Sequence, residues 1–215
     1  MVSIKRYFQI YTDYKSGKPG DAGYLEFKAY GWGADSDLLT QLRTLPKQYD
    51  LDLEQLIQLP VGTLGYEYAK HMKKYGIQPL EISADLQADA EENPFEIRLL
   101  TVHDIYHVLL GFDITYAGEA GVFAFKAAQG YSRMLPILQP LALIGICLMR
   151  PKSVRQTVAN FRRGRSLGKQ AKCLLTYRFA ENWTKPVSEI RAETGLIEKF
   201  DSVTQEVGDV LAQPL

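Results

Sequence analysis

The stretch from Asn93 to Glu119 reads NPFEIRLLTVHDIYHVLLGFDITYAGE and carries the signals of a helix, a turn and a second helix. Asn93 can cap the first helix, Pro94 suits its first position, and Glu96 stands where a capping box needs an acid. Ile97, Leu100, Ile105, Val108 and Leu109 then keep a helical period as far as Gly111, which predicts one helix from Pro94 to Leu110. Gly111-Phe112-Asp113-Ile114-Thr115 has the composition of a reversal. From about Tyr116 the spacing predicts a second long helix reaching Met134.

Two of the chain's three histidines, His103 and His107, lie inside this stretch. Four residues apart on one helix, they share a face, in the row Leu100, His103, His107, Leu110. Asp104 borders the same face. An unpaired buried polar group costs ~1–3 kcal/mol, so inward-looking imidazoles need partners, and a bound metal supplies them at once. On a straight helix Glu119 would stand roughly 18 Å beyond His107. With the chain reversed, it falls in the first turn of an antiparallel helix, facing back across the seam. Carboxylates on facing helices are a known way to build metal sites in bundles. The donor set suits zinc, iron, manganese or magnesium without choosing among them. Asp104 is either a ligand or a partner that orients an imidazole. The plain alternative is a pair of satisfied core histidines.

Outward from this stretch, 215 residues suffice for one domain, and 25 basic against 25 acidic residues give no charge argument for nucleic acid. The charge is blocked, however. Glu81, Asp85, Asp89, Glu91, Glu92 and Glu96 are the only charges from 76 to 97. Arg150, Lys152, Arg155, Arg162, Arg163, Arg165, Lys169 and Lys172 are the only ones from 150 to 172. Such blocks usually mark solvated faces, though the basic one also suits anionic headgroups. Cys147 and Cys173 form neither a metal pair nor a disulfide framework. The first residues resemble neither a secretory signal nor a transit peptide, which sets the expectation of a cytoplasmic protein, peripheral on the inner face of a membrane.

Residues 1–35 are rich in Tyr and Gly and read as an extension with no clear helical or strand period; 36–215 read as the helical domain. Within it, Leu38, Leu39, Leu42 and Leu45 follow a helical period, Asp50–Glu54 opens a short helix, and Thr63–Tyr75 forms another closed by Gly76. Leu135–Met149 is apolar but interrupted by Pro136 and Pro140, and is shorter than the roughly 20 residues that span a bilayer. It reads as a buried core helix, with a face dipping into lipid as the alternative. The expected fold is mainly α, a single-domain multi-helix bundle with the metal site between two antiparallel helices.

The pattern His-Asp-x-x-His-x(11)-Glu at His103, Asp104, His107 and Glu119 resembles the hallmark of the ubiquinone (coenzyme Q) biosynthesis protein four family. Leu109–Asp113 and Gly118–Gly121 match the surrounding family residues. Leu59-Pro60-Val61-Gly62-Thr63-Leu64-Gly65 is similar to a family segment upstream. Glu181-Asn182-Trp183-Thr184-Lys185-Pro186-Val187 is similar to one downstream, with Val187 where Leu is more usual. The resemblance runs over roughly 36–197.

It implies a divalent metal held by His103, Asp104, His107 and Glu119. It also implies a role in prenylated quinone biosynthesis, assisting removal of the C1 carboxylate from a prenylated 4-hydroxybenzoate-type ring, with or without coupled oxidation. Implied partners are a prenyl-tailed lipid or quinone precursor, other enzymes of the pathway and a membrane surface; a homo-oligomer is compatible. The tail needs an apolar groove, for which Phe123, Leu135, Leu138 and Leu141 are the candidates, against ordinary core packing. Two other functions compete. One is a non-catalytic lipid-binding scaffold that organises quinone enzymes. The other is an HD-type phosphohydrolase built on His71, His103, Asp104 and Asp201 or Asp209. His71, beside Lys70, Lys73 and Lys74, is expected on the surface.

Overall fold

The computed structural model of the chain describes residues 17–29, 36–47, 49, 51–131 and 135–197, with backbone alone at 29, 135–139 and 142. Eleven α-helices are present among them: α1 Pro19–Ala29, α2 Ser36–Leu42, α3 Leu53–Leu56, α4 Leu64–Tyr75, α5 Ala84–Glu92, α6 Pro94–Thr101, α7 His103–Leu110, α8 Tyr116–Ala128, α9 Leu135–Met149, α10 Val154–Gln170 and α11 Val187–Thr194. No strand occurs among the described residues; Thr63 and Pro186 form an isolated antiparallel bridge. The mainly helical, single-domain expectation holds.

Local chemistry accounts for the clearest helix. Thr63 caps α4 by accepting a hydrogen bond from Tyr66 N–H, and Gly76 ends it at φ 63°, a left-handed conformation suited to glycine. Gly62 O accepts from Val187 N–H at 2.9 Å, while Leu64 and Gly65 N–H donate to Lys185 O and Trp183 O at 2.9 and 2.8 Å. The two flanking segments of the family resemblance are thus one structural joint. Trp183 closes it, with its ring 5.5 Å from Tyr49 and 5.6 Å from Tyr68.

The main core gathers Leu64, Met72, Phe95, Leu99, Ile105, Phe125, Leu174 and Phe179, all buried. Arg98 is buried beside it at 2 % exposure. Its Nε donates to Leu175 O at 2.9 Å, its Nη2 to Tyr177 O at 2.6 Å, and its Nη1 to Tyr49 Oη. The guanidinium also stacks over the rings of Tyr49 and Phe179, 5.6 Å from each centroid. Helices α8 and α10 meet almost backbone to backbone. A Cβ on Gly164 would lie 2.0 Å from Gly121 O, and one on Gly168 2.5 Å from Phe125 O. Gly164→Ala should therefore force α10 off α8 and cost about 1–3 kcal/mol, read as a lower urea midpoint; an unchanged midpoint would show that the helices have room to separate.

Several expectations change in three dimensions. Helix α1 falls within the stretch that showed no period. Its Tyr24 and Leu25 pack with Ile82, Ala90, Ile97 and Leu100 in a second core. Gly20 lets α1 approach Glu81, where a Cβ would stand 1.9 Å from the carbonyl oxygen. The acidic block is partly α1's dock, since Asp89 accepts from Tyr24 Oη at 2.7 Å and from Lys28 Nζ at 2.6 Å. The first motif helix is two helices, broken at Val102 with φ −96° and ψ 2°. Asn93 makes no side-chain cap there; its amide instead donates to Asp89 O at 2.6 Å. Helix α8 stops at Ala128 rather than Met134, just before Gly130 at φ 76°.

Helix α9 runs unbroken through Pro140, which forfeits a backbone bond without ending the helix. None of its described side chains is buried, and Leu141, Ile144, Leu148 and Met149 are 66, 55, 77 and 67 % exposed. No helix among the described residues is long and apolar enough to cross a membrane.

Candidate metal centre

The break at Val102 places His103 at the first position of α7, and Gly111 ends that helix at φ 67°. The chain then reverses on a short, heavily bonded turn. Asp113 Oδ1 accepts from Thr115 N–H at 3.1 Å and from Thr115 Oγ1 at 2.5 Å. Thr115 Oγ1 in turn accepts from Gly118 N–H and caps α8. Gly118 and Gly121 leave the space this needs: a Cβ on Gly118 would meet Asp113 O at 1.8 Å, and one on Gly121 the Phe112 ring at 2.7 Å. Glu119 consequently sits in the first turn of α8, facing α7.

Three donor atoms converge. His103 Nε2 and His107 Nε2 are 3.3 Å apart. Glu119 Oε1 lies 3.2 Å from His107 Nε2, and Oε2 3.6 Å from His103 Nε2. Metal bonds of ~2.0–2.1 Å in tetrahedral array place ligand atoms ~3.3 Å from one another, so the triangle has the size a divalent ion needs. Nitrogen and carboxylate oxygen are also the right donors. His107 Nδ1 lies 3.3 Å from Phe112 O. With the proton on Nδ1, that bond leaves the Nε2 lone pair directed at the cluster, as an orienting partner does in metal sites. His107 is 1 % exposed, whereas the Glu119 side chain is 42 % exposed. One side of the triangle is walled by protein and the other is open to a ligand.

Partial burial works to raise the Glu119 carboxyl, but with no metal present and protons on the Nε2 atoms, hydrogen bonds from His103 and His107 outweigh it and hold the group well below the usual carboxylate range. Asp104 is buried on α7, outside the triangle of atoms within 4.8 Å of one another. The structure thus brings together His103, His107 and Glu119, with Asp104 beside them.

Two further residues belong to this neighbourhood. Lys126 is buried at 4 % exposure, with Nζ 3.4 Å from His103 Nδ1 and 5.0 Å from the centre of the Phe27 ring. Burial pushes its ammonium down, opposed by Glu119, Glu26 and Asp104. It lies seven residues after Glu119, two turns along one helix face, a spacing that could have flagged it. His71, expected on the surface, is only half-exposed. Its ring stacks on His107 with centroids 5.7 Å apart and 27° between planes, because Leu64, Tyr68, His71, Met72 and Tyr75 form one stripe of α4.

Of the tail-binding candidates, Phe123 is half-buried against the main core and Leu141 is exposed on α9. The side chains of Leu135 and Leu138 lie outside the described residues. Asp201 and Asp209, which the phosphohydrolase reading requires, lie outside the described residues.

Fold and cluster together define a helical protein whose His, His and Glu side chains meet across two consecutive helices. Residues 38–199 match the model of the coenzyme Q (ubiquinone) biosynthesis protein Coq4 family. The chain belongs to that family. It is 31 % identical over 148 residues to the mitochondrial ubiquinone biosynthesis protein COQ4 homolog of Rattus norvegicus, covering 68 % of this chain and 55 % of that protein. It is 30 % identical over 154 residues to the mitochondrial ubiquinone biosynthesis protein COQ4 of Eremothecium gossypii, covering 68 % and 45 %. The chain therefore spans about half the length of these relatives. A crystal structure from Nostoc punctiforme PCC 73102, whose name assigns it provisionally to ubiquinone biosynthesis, shares the fold. It has a TM-score of 0.64 at 24 % identity and covers 91 % of this chain and 97 % of that one.

Proposed function

We propose that this chain acts in ubiquinone-type biosynthesis as a metal-dependent protein that assists C1 decarboxylation of a prenylated 4-hydroxybenzoate-type ring. The observation that carries the reading is the triangle of His103 Nε2, His107 Nε2 and the Glu119 carboxylate. These three residues would hold a divalent metal, with Asp104 as the additional carboxylate. When bound there, the metal supplies a Lewis acid that orients a substrate carboxylate and stabilises charge as the carbon–carbon bond breaks. The chain's own contribution is to fix the imidazoles through Phe112 O and the α7–α8 turn, and to keep water from the protein-walled side. Iron or manganese fits a coupled oxidation better than zinc.

Helix α9 supports the lipid part of the reading. Leu141, Ile144, Leu148 and Met149 share one exposed face, and Arg150, Lys152 and Arg155 follow directly. An apolar face beside basic residues is the pattern of an interfacial helix on anionic lipid. Arg150 lies 4.7 Å above the Tyr116 ring, which ties the end of α9 to the helix start that carries Glu119. A prenyl-tailed substrate held at α9 would thus bring its head group toward the centre. Each large apolar side chain taken out of water contributes about 1.5–3 kcal/mol, so the double variant Ile144→Asp, Leu148→Asp should lose at least roughly tenfold in sedimentation with phosphatidylglycerol-containing vesicles. Equal sedimentation of variant and wild type would sink the assignment of α9 to the membrane.

The enzymatic reading is tested with metal-loaded protein and a prenylated 4-hydroxybenzoate. Loss of the carboxylate should be seen with wild type and vanish in folded Glu119→Ala. A protein that binds the lipid and metal yet never turns over any prenylated benzoate would instead be a scaffold, the alternative that the exposed face of α9 also favours. Family membership gives the phosphohydrolase alternative no separate support.

A further inference from the structure

His107 takes its aim from a carbonyl that other parts of the chain must hold still. Its Nδ1 faces Phe112 O at 3.3 Å, and that oxygen belongs to the turn opened by Gly111 at φ 67°. A left-handed glycine turn is not stiff by itself. Two arginines from distant helices brace it. Arg191 of α11 donates from Nε to Leu109 O at 2.7 Å and from Nη2 to Val108 O at 3.2 Å. Both oxygens lie in the last turn of α7, where a helix runs out of its own N–H partners. Arg163 of α10 lays its guanidinium 4.6 Å from the centre of the Phe112 ring. That ring also fills the space over Gly121 of α8, where a Cβ would meet it at 2.7 Å. A Cβ on Gly111 would stand 3.7 Å from a guanidinium nitrogen of each arginine, so both heads bear on the same turn. Like charges so placed repel, and the negative end of α7 with its last carbonyls is what holds them there. Val187 N–H, at the start of α11, donates to Gly62 O, which anchors the helix that carries Arg191.

We propose that Arg163 and Arg191 are positioning residues for His107: together they clamp Gly111 and Phe112, keep Phe112 O against Nδ1, and so aim Nε2 at the point shared with His103 and Glu119. The purpose of that aim rests on the metal reading of the triangle. A clamp that served stability alone could grip the turn anywhere, whereas this one holds the residue whose carbonyl faces the imidazole. Partners that orient a histidine ligand in this way are themselves worth a large part of metal affinity.

Two measurements on the full chain test it. Cobalt(II) titration followed by visible absorption gives metal affinity. Ring-nitrogen spectra of the metal-free protein, at a pH at which the imidazole is neutral, give the His107 tautomer. In Arg191→Met, cobalt should bind at least roughly tenfold more weakly, and His107 should shift from its Nδ1–H form toward Nε2–H. Arg191→Lys keeps the charge but not the planar fork, and should fall between. Arg163→Leu should weaken cobalt binding severalfold. The double variant Arg163→Leu, Arg191→Met should lose less than the product of the two, since both act through one carbonyl. Affinity and tautomer unchanged in the folded variants, however far the urea midpoint falls, would overturn the proposal, because a purely structural clamp moves the midpoint alone. Weaker cobalt binding with an unmoved tautomer would overturn it as well. If wild type binds no cobalt, it is the metal reading that fails, and the tautomer shift alone decides whether the arginines position His107. Should Arg191→Met not fold, Arg163→Leu and Arg191→Lys carry the same test.

Discussion

Purified Glu119→Ala protein will carry no stoichiometric divalent metal, while wild type and His71→Ala each carry one ion. Glu119 contributes the only carboxylate in the triangle of converging donors, and its oxygens lie 3.2 and 3.6 Å from the two imidazoles. Loss of a mere outer partner of a metal ligand typically costs about 10–100-fold in affinity, so loss of a direct ligand should exceed that and leave the site empty after dialysis. His71 touches His107 only face to face, which predicts retention of the ion. Elemental analysis beside circular dichroism reads the outcome. Metal retained by folded Glu119→Ala, or lost only in His71→Ala, would place the ion elsewhere and defeat the assignment. The element found would narrow the chemistry as well.

The largest effect on stability is expected at Arg98. Arg98→Met removes every donor to Leu175 O and Tyr177 O from this side chain and leaves Tyr49 Oη without its guanidinium partner. Each buried polar group so orphaned costs ~1–3 kcal/mol, and methionine recovers part of the packing but none of the bonds, giving a net loss of about 3–5 kcal/mol. For a chain of this length that corresponds to a fall in melting temperature on the order of 10 °C. Arg98→Lys keeps the charge but not the planar fork, and should recover only part of the loss. A shift of a degree or two in Arg98→Met would show that water replaces the guanidinium at those carbonyls. The loss would spread to the His103, His107 and Glu119 cluster, because α6 leads directly into His103.

The meeting of His103, His107 and Glu119 was legible for a simple reason: four-residue and twelve-residue spacings around Gly111 leave few ways for the three to be arranged. Thr63 and Gly76 marked the ends of α4 as plainly. The break at Val102 was not legible. Hydrogen bonds from Val102 N–H to Arg98 O and from Tyr106 N–H to Val102 O carry the chain across it, so the apolar period continues through the kink. Helix α1 was hidden because Gly20 and Gly23 serve close approach to other parts of the chain, at the expense of helical propensity. Exposure of α9 depends on which neighbours cover it, a tertiary fact that an apolar run does not encode. The half-burial of His71 was masked by its lysine neighbours, although the stripe from Leu64 to Tyr75 held the information.

The joint between Gly62–Gly65 and Trp183–Val187 has a consequence for how the chain is born. The N–H groups that open α4 find their acceptors at Trp183 and Lys185, well over a hundred residues later in synthesis. Until those residues leave the ribosome, the start of α4 has only water for a partner, and the loop-closure entropy of the intervening chain is still to be overcome. The start of α4 must therefore wait for the segment Trp183–Val187 before it can settle, and a chain ended before Trp183 would be unfinished at both places.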